Sequence, residues 1–298
     1  MIMSQNNNGT RQRVGFVGLG AMGSRMVAHL KGFADVQVFD LDVARREQAA
    51  AAAGGQAVAS ISAMADAQVV ILMLPDSPIV DKVLRNELLK TLKQGAMVID
   101  MSSSTPANTI ENAKLSKQHG ITFIDAPVSG GIGGAESGKL AIMAGGEAAD
   151  FARALPLLNR MGTKVVHVGP VGSGHAVKAL NNLLGATILV ATSEIFAAGE
   201  KFGLDPVVMH QVIDASSGGS FMTAQAWPRA VLPKTWNFGF AMQLMNKDVG
   251  IAMSLIESTG VKTVLCAANA ALWAKAVKEN PGADMTIITK GIREAAGL

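Results

Sequence analysis

Lys178 stands in the run Gly172-Ser173-Gly174-His175-Ala176-Val177-Lys178-Ala179-Leu180-Asn181-Asn182. Its neighbours are apolar, so an ammonium group there would be costly without a task. On a helix, Lys178 and Asn182 are one turn apart and share a face. Such a lysine can carry a proton, and an asparagine beside it can hold a polar group. A second pair, Lys247-Asp248, interrupts the apolar helix predicted from Phe240 to Thr259. A third polar segment, Asp125-Ala126-Pro127-Val128-Ser129-Gly130-Gly131, follows a strand-like run. Successive glycine N–H groups beside a serine hydroxyl can form an anion-binding concavity. Each feature has a plainer alternative: a solvated lysine, a surface ion pair and a turn-forming serine.

The other chemistry-bearing motif is Gly18-Leu19-Gly20-Ala21-Met22-Gly23, after the apolar run Val14-Gly15-Phe16-Val17 and at the head of a helical stretch. Its glycines serve a tight turn, close backbone approach to a pyrophosphate, and close helix–strand packing. The helix N-terminus then offers N–H groups and the positive end of its dipole to the phosphates. Asp40 closes the second strand at the offset of about 20 residues that this fingerprint expects. A carboxylate there accepts hydrogen bonds from the adenosine ribose and repels a 2′-phosphate. NAD is therefore expected rather than NADP, although Arg45 and Arg46 could soften that preference. The run Gly133 to Lys139 imitates a nucleotide P-loop, but Leu140 stands where the magnesium-binding hydroxyl belongs.

These residues need a frame. From Arg13 to about Val168 short β-branched runs alternate with helical stretches, which implies a mostly parallel sheet covered on both faces. Predicted strands include Val36–Phe39, Val69–Leu74, Met97–Ile99, Ile121–Ile124, Lys139–Met143 and Lys164–Val168. After Gly169-Pro170 long helical stretches take over. Gly172 to Phe202 reads as one helix, and Asp205-Pro206 as the start of the next. The reading is an α/β Rossmann-like N-terminal domain, 13–170, joined through a long helix to an all-α C-terminal domain, 171–298.

Composition narrows the class. The 298 residues are 49% hydrophobic and 16% charged, enough for a buried core, with a net charge of +3 and no Lys/Arg-rich run. Nothing points to nucleic acid. The apolar stretch between Lys178 and Glu194 falls short of the ~20 residues of a membrane span. The one cysteine, Cys266, excludes an internal disulfide and fits a reducing compartment. The polar segment Met1–Arg13 lacks the apolar core of a signal peptide and reads as a tail, and its triplet Asn8-Gly9-Thr10 as a chance sequon. A cytoplasmic location is expected. The five histidines show no metal-ligand spacing, so no metal is expected, and His175 is a remote rival for the role of general acid.

Taken together, the sequence resembles the β-hydroxyacid dehydrogenase family over nearly its whole length. The motifs are G-x-G-x-M-G, Met73-Leu74-Pro75, Asp100-Met101-Ser102-Ser103, the D-A-P-V-S-G-G loop, G-x-G-x-x-x-K-x-x-N-N, and Lys247-Asp248. The resemblance implies that Lys178 is catalytic. It implies that Ser129, Gly130 and Gly131 hold a substrate carboxylate and that Asn182 positions substrate, with Asp248 as an orienting partner. Leu74, Pro75, Ser103 and Lys247 would line the cofactor. The implied activity is hydride transfer between NAD and a small 3-hydroxy acid or its semialdehyde, with 3-hydroxyisobutyrate foremost. Tartronate semialdehyde (2-hydroxy-3-oxopropionate) reduction is the alternative. Imine reductases on this scaffold typically replace the lysine, and a non-catalytic cofactor-binding protein would lack it. Lys178 would take the hydroxyl proton in oxidation and return it in reduction. A free lysine near pKa 10.4 is a poor base, so burial and a positive nicotinamide would have to lower it. The apolar helices favour a homodimer or homotetramer. The segment from Gly218 to Phe240 varies within the family and reads as substrate-selective.

Overall fold

The computed structural model describes residues 11–298. The Asn8-Gly9-Thr10 triplet and most of the segment read as a tail lie outside the described residues. That reading ran too far at its inner end, because Gln12 and Arg13 already belong to the first strand. The chain divides into two compact units, one ending at Lys178 and the other running Ala179–Leu298. The division falls inside a helix, eight residues beyond the 170/171 boundary expected where long helical stretches take over.

In the first unit, β1 (Gln12–Val17), β2 (Ala34–Phe39), β3 (Gln56–Ala57), β4 (Val69–Leu72), β5 (Met97–Asp100) and β6 (Thr122–Asp125) run parallel, in the order β3-β2-β1-β4-β5-β6. β4 shows why its sequence is continuously apolar. Val69 and Ile71 pack with Phe16 and Ile99, whereas Val70 and Leu72 pack with Val17 and Val98. Alternate residues serve opposite faces, and both faces are covered.

Beyond β6 the direction changes. β7 (Val128–Ser129) and β8 (Leu140–Gly145) are antiparallel to each other, and β8 meets β6 antiparallel through Asp125↔Gly145. β9 (Gly162–Gly169) then runs parallel to β8.

Helices α1 (Gly23–Ala28), α2 (Val43–Ala53), α3 (Ser77–Val83), α4 (Leu89–Thr91), α5 (Pro106–Gln118), α6 (Gly131–Ser137) and α7 (Ala148–Met161) connect these strands. Their ends follow capping chemistry. Asp42 accepts the Arg45 N–H at 3.2 Å at the head of α2, and Asp76 accepts the Ile79 N–H at 3.1 Å at the head of α3.

Helix α8 (Ser173–Phe202) runs across the division. The second unit adds α9 (Pro206–Asp214), a π-helical segment Met222–Val231, α10 (Met242–Thr259), α11 (Leu265–Glu279) and α12 (Ile287–Ala295). Asp205 caps α9 through the Val207 and Val208 N–H groups, with Pro206 in the first turn, as its sequence predicts. The core of this unit gathers Trp227, Trp273 and Phe196 around Leu183, Ala186 and Leu189 of α8. By length and composition α8 would suffice to cross a membrane, but this buried face makes it a core helix.

Candidate functional site

The turn between β1 and α1 is shaped by backbone packing. Gly18 has a φ of +97°, and a Cβ there would lie 2.2 Å from the Met73 carbonyl oxygen. A Cβ on Gly23 would fall 1.9 Å from the Gly18 carbonyl oxygen. The protein itself forbids side chains at both positions. Gly20 is different, because a Cβ there would meet nothing within 4 Å. Internal packing does not demand glycine at that point. The open space above its backbone fits a dinucleotide pyrophosphate. Of the rest of the motif, Leu19 is buried, Met22 half-buried and Ala21 exposed.

Asp40 is tied to this turn more tightly than the sequence suggests. Its Oδ2 accepts the Leu19 N–H at 2.7 Å, and its Oδ1 accepts the Asp42 N–H at 2.9 Å. The nearby arginines are engaged elsewhere. Arg45 pairs with Asp42 at 3.3 Å. Arg46 donates to the Val58 carbonyl at 2.7 Å and lies 5.5 Å from the Phe39 ring centroid.

The segment after β4 borders the same turn, and the segment after β5 is hydrogen-bonded to that segment. The Leu74 side chain lies 3.1 Å from where a Gly18 Cβ would sit, and the Leu74 N–H donates to Ser102 Oγ at 2.9 Å. Pro75 is exposed. Ser102 and Ser104 are buried and serve the interior: the Ser102 N–H donates to Asp100 Oδ1 at 3.0 Å, and Ser104 Oγ donates to Asp100 Oδ2 at 2.8 Å. Ser103, between them, is half-buried.

Ser129 closes β7, and Gly130 and Gly131 follow with φ of +130° and +60°. Those positive φ values are what glycine permits at a strand-to-helix corner. Four residues upstream, Asp125 is fully buried at the end of β6. It accepts the Gly172 N–H at 2.7 Å and the His175 N–H at 2.8 Å. Burial pushes its carboxyl above the usual range, while His175 and the two N–H donors pull it back.

His175 is enclosed as well. Its Nδ1 lies 2.8 Å from Thr109 Oγ1, and its Nε2 is 3.1 Å from the Ser102 carbonyl, to which it donates. This cluster of His175, Thr109, Asp100 and Asp125 was not legible as a unit. Its members come from four separate elements, and only a polar residue among small ones at the head of α8 hinted at it. Lys178, one turn further along α8, is half-buried.

In the second unit, Asp248 is buried and accepts from Asn182 Nδ2 at 2.6 Å. Asn181 Nδ2 donates to Asn182 Oδ1 at 3.1 Å, so the Asn182 amide is held at both ends. A carboxylate can only accept, which assigns the Asn182 nitrogen to the Asp248 side. Lys247 Nζ lies 4.0 Å from Asp248 Oδ1. The sequence singled out each of these residues, but not the bond that joins Asn182 to Asp248. Among the described residues, no group of His, Cys, Asp and Glu is arranged to hold a metal ion.

Comparison with known proteins adds to this geometry. Residues 13–169 match the family model described as the NAD binding domain of 6-phosphogluconate dehydrogenase. Residues 172–292 match that for NAD-binding of NADP-dependent 3-hydroxyisobutyrate dehydrogenase. The 2-(hydroxymethyl)glutarate dehydrogenase of Eubacterium barkeri is 38% identical over 81% of each chain. The 3-hydroxyisobutyrate dehydrogenase of Pseudomonas aeruginosa is 36% identical over 93% of this chain and 97% of that one. The solved structure of Mycobacterium tuberculosis 3-hydroxyisobutyrate dehydrogenase with L-serine matches with a TM-score of 0.88 at 32% identity, covering 95% of this chain and 100% of that one.

Proposed function

The chain belongs to the β-hydroxyacid dehydrogenase family, and from that premise we propose that it transfers a hydride between NAD and a small 3-hydroxy acid or its semialdehyde, with 3-hydroxyisobutyrate as the foremost substrate. It is an NAD-dependent oxidoreductase acting on a CH–OH group. What supports the substrate reading is that one compact unit holds both Lys178, half-buried on α8, and the Ser129-Gly130-Gly131 corner. One group carries a proton, and the other offers a hydroxyl and backbone N–H groups to a carboxylate. We assign the cofactor-binding role to 13–170 and the substrate and assembly role to 171–298.

When bound, NAD supplies hydride acceptance and donation at its nicotinamide ring. Gly18, Leu19, Gly20, Ala21, Met22 and Gly23 would hold its pyrophosphate and Asp40 its adenosine ribose. Leu74, Pro75, Ser103 and Lys247 would line it. Ser129 Oγ and the Gly130 and Gly131 N–H groups bind the substrate carboxylate and fix the carbon that reacts. Asn182, held by Asp248, orients the substrate. Lys178 accepts the hydroxyl proton in oxidation and donates it to the forming alkoxide in reduction.

NADH formation with a panel of small 3-hydroxy acids tests the reading. Turnover of 3-hydroxyisobutyrate supports it. Turnover confined to tartronate semialdehyde with NADH would move the assignment to the reductive alternative. Exposed Leu180, Leu184 and Ile195 on α8 support a homodimer or homotetramer, and the composition supports a cytoplasmic location.

Two further results are expected. Ser129→Ala should raise KM for the acid far more than it changes NAD affinity, because it removes a charge-assisted hydrogen bond worth about 1.5–3 kcal/mol. The methyl ester of the substrate should be turned over poorly for the same reason, and equal turnover of ester and acid would remove the anion site. Asp40→Ala should weaken both cofactors through the lost bond to the Leu19 N–H, and it should shrink or reverse the preference for NAD over NADP. The ratio of kcat/KM for the two cofactors is the measurement. A preference for NADP in the unmodified protein would overturn the assignment.

A further inference from the structure

We propose that Asp125 and His175 are positioning residues that clamp the first turn of α8 and thereby set where Lys178 stands relative to the Ser129-Gly130-Gly131 corner. The inference rests on Lys178 being the proton carrier.

A helix leaves its first N–H groups without partners inside the helix. A local serine, threonine or aspartate usually satisfies one of them. Here the partner comes from the end of β6. Both Asp125 oxygens are used, one on the Gly172 N–H at 2.7 Å and the other on the His175 N–H at 2.8 Å. A buried carboxylate with two N–H donors makes short charge-assisted bonds, and the helix dipole favours its charge. The clamp is therefore stiffer than an exposed cap.

Steric contact reinforces it. A Cβ on Gly174 would fall 2.2 Å from the Met143 carbonyl oxygen, 2.8 Å from Asp125 Oδ2 and 3.1 Å from Pro127 Cδ. A Cβ on Gly145 would fall 2.5 Å from Asp125 Oδ1 and 2.9 Å from the Gly174 nitrogen. The helix thus begins in backbone contact with β8, where Asp125 pairs with Gly145.

His175 ties the same turn to two more elements. Its ring reaches Thr109 Oγ1 on α5 at 2.8 Å and the Ser102 carbonyl after β5 at 3.1 Å. Thr109 and His175 are both buried. Three strand ends and one helix therefore converge on one helical turn.

This turn has a consequence for the reaction. Lys178 lies one turn beyond His175, and Ser129 lies just beyond Asp125 on the chain. The route from the carboxylate-binding corner to the lysine is a strand end, a buried carboxylate and a helical turn. A misplacement of about 1 Å can cost on the order of 10²-fold in rate. The Asp125 bonds of this route lie at β6, β8 and the head of α8 and not in the Gly18–Gly23 turn, so NAD affinity is expected to change far less than kcat.

The test is a double-mutant cycle with kcat, substrate KM and NAD Kd as readouts. Asp125→Asn keeps the volume and one acceptor but turns an NH₂ group toward one of the two N–H donors. It should lower kcat roughly 10- to 100-fold while NAD Kd stays within about 3-fold. In the Lys178→Ala background, the same change should lower the residual rate by less than about 3-fold, because a positioning residue has nothing left to position. Thr109→Val, which removes only the hydroxyl that holds the His175 ring, should show the same pattern with a smaller loss. It decides the matter if Asp125→Asn does not fold. An unchanged kcat in the variants, or equal losses with and without Lys178, overturns the clamp. If Lys178→Ala itself proves harmless, the proposed function fails instead, and the single-mutant arm shows which has happened.

Discussion

Lys178→Ala is expected to lose about 10²- to 10⁴-fold in kcat, the usual contribution of a general acid–base group. That equals about 3–5 kcal/mol at 1.36 kcal/mol per decade. NAD binding should stay within a few-fold, because the Gly18–Gly23 turn and Asp40 are untouched. Lys178→Arg should not restore the activity. Guanidinium keeps the positive charge but does not release a proton near neutral pH. The pair of variants separates proton transfer from electrostatic stabilisation of an alkoxide. Recovery by arginine would make Lys178 an electrostatic clamp and require another proton carrier. His175 is a poor substitute, since its ring is enclosed between Thr109 and the Ser102 carbonyl. Near-normal kcat in the alanine variant would remove the catalytic assignment.

The second large effect divides the glycines of the cofactor turn. At Gly23 an added methyl would fall 1.9 Å from the Gly18 carbonyl oxygen, a backbone atom that cannot swing aside. Gly23→Ala should therefore destabilise the protein by roughly 1–3 kcal/mol or more, as overpacking does. At Gly20 the methyl meets nothing within 4 Å. Gly20→Ala should leave the melting temperature unchanged and weaken NAD. The backbone N–H is kept, but the methyl would hold the pyrophosphate away from it, and a charge-assisted hydrogen bond lost in that way costs about 1.5–3 kcal/mol, or roughly 10- to 150-fold in Kd. Thermal melting and NAD titration of the two variants check the contrast. Unchanged NAD affinity in Gly20→Ala would mean that the space above it is not where the pyrophosphate lies.

Much of this was legible beforehand because it is local. The run Val69–Leu72 is apolar at every position and rich in β-branched residues, as suits a strand buried on both faces. The predicted strand overran by Met73 and Leu74, where the chain leaves the sheet to border the cofactor turn. Asp205-Pro206 started a helix because its side-chain and ring chemistry act within one turn. The glycine fingerprint and its acidic partner were readable from their spacing.

The reversal at β8 was not readable, because the alternation of short runs is the same in either strand direction. Nor did the spacing of Asp40 disclose that its carboxylate braces the Leu19 N–H, a contact between residues on different strands' ends.

The sequence by itself determined which residues could do chemistry: a lysine among apolar neighbours, a serine before two glycines, and a turn of three glycines with an aspartate after it. Residue type and short-range spacing suffice for that. Only the tertiary structure decided how those residues are held. Asp125 and His175, Asn182 and Asp248, and Leu74 and Ser102 are distant along the chain and meet through buried or part-buried hydrogen bonds. Such bonds depend on which strand ends and helix turns the packed core brings together, and no local pattern encodes them.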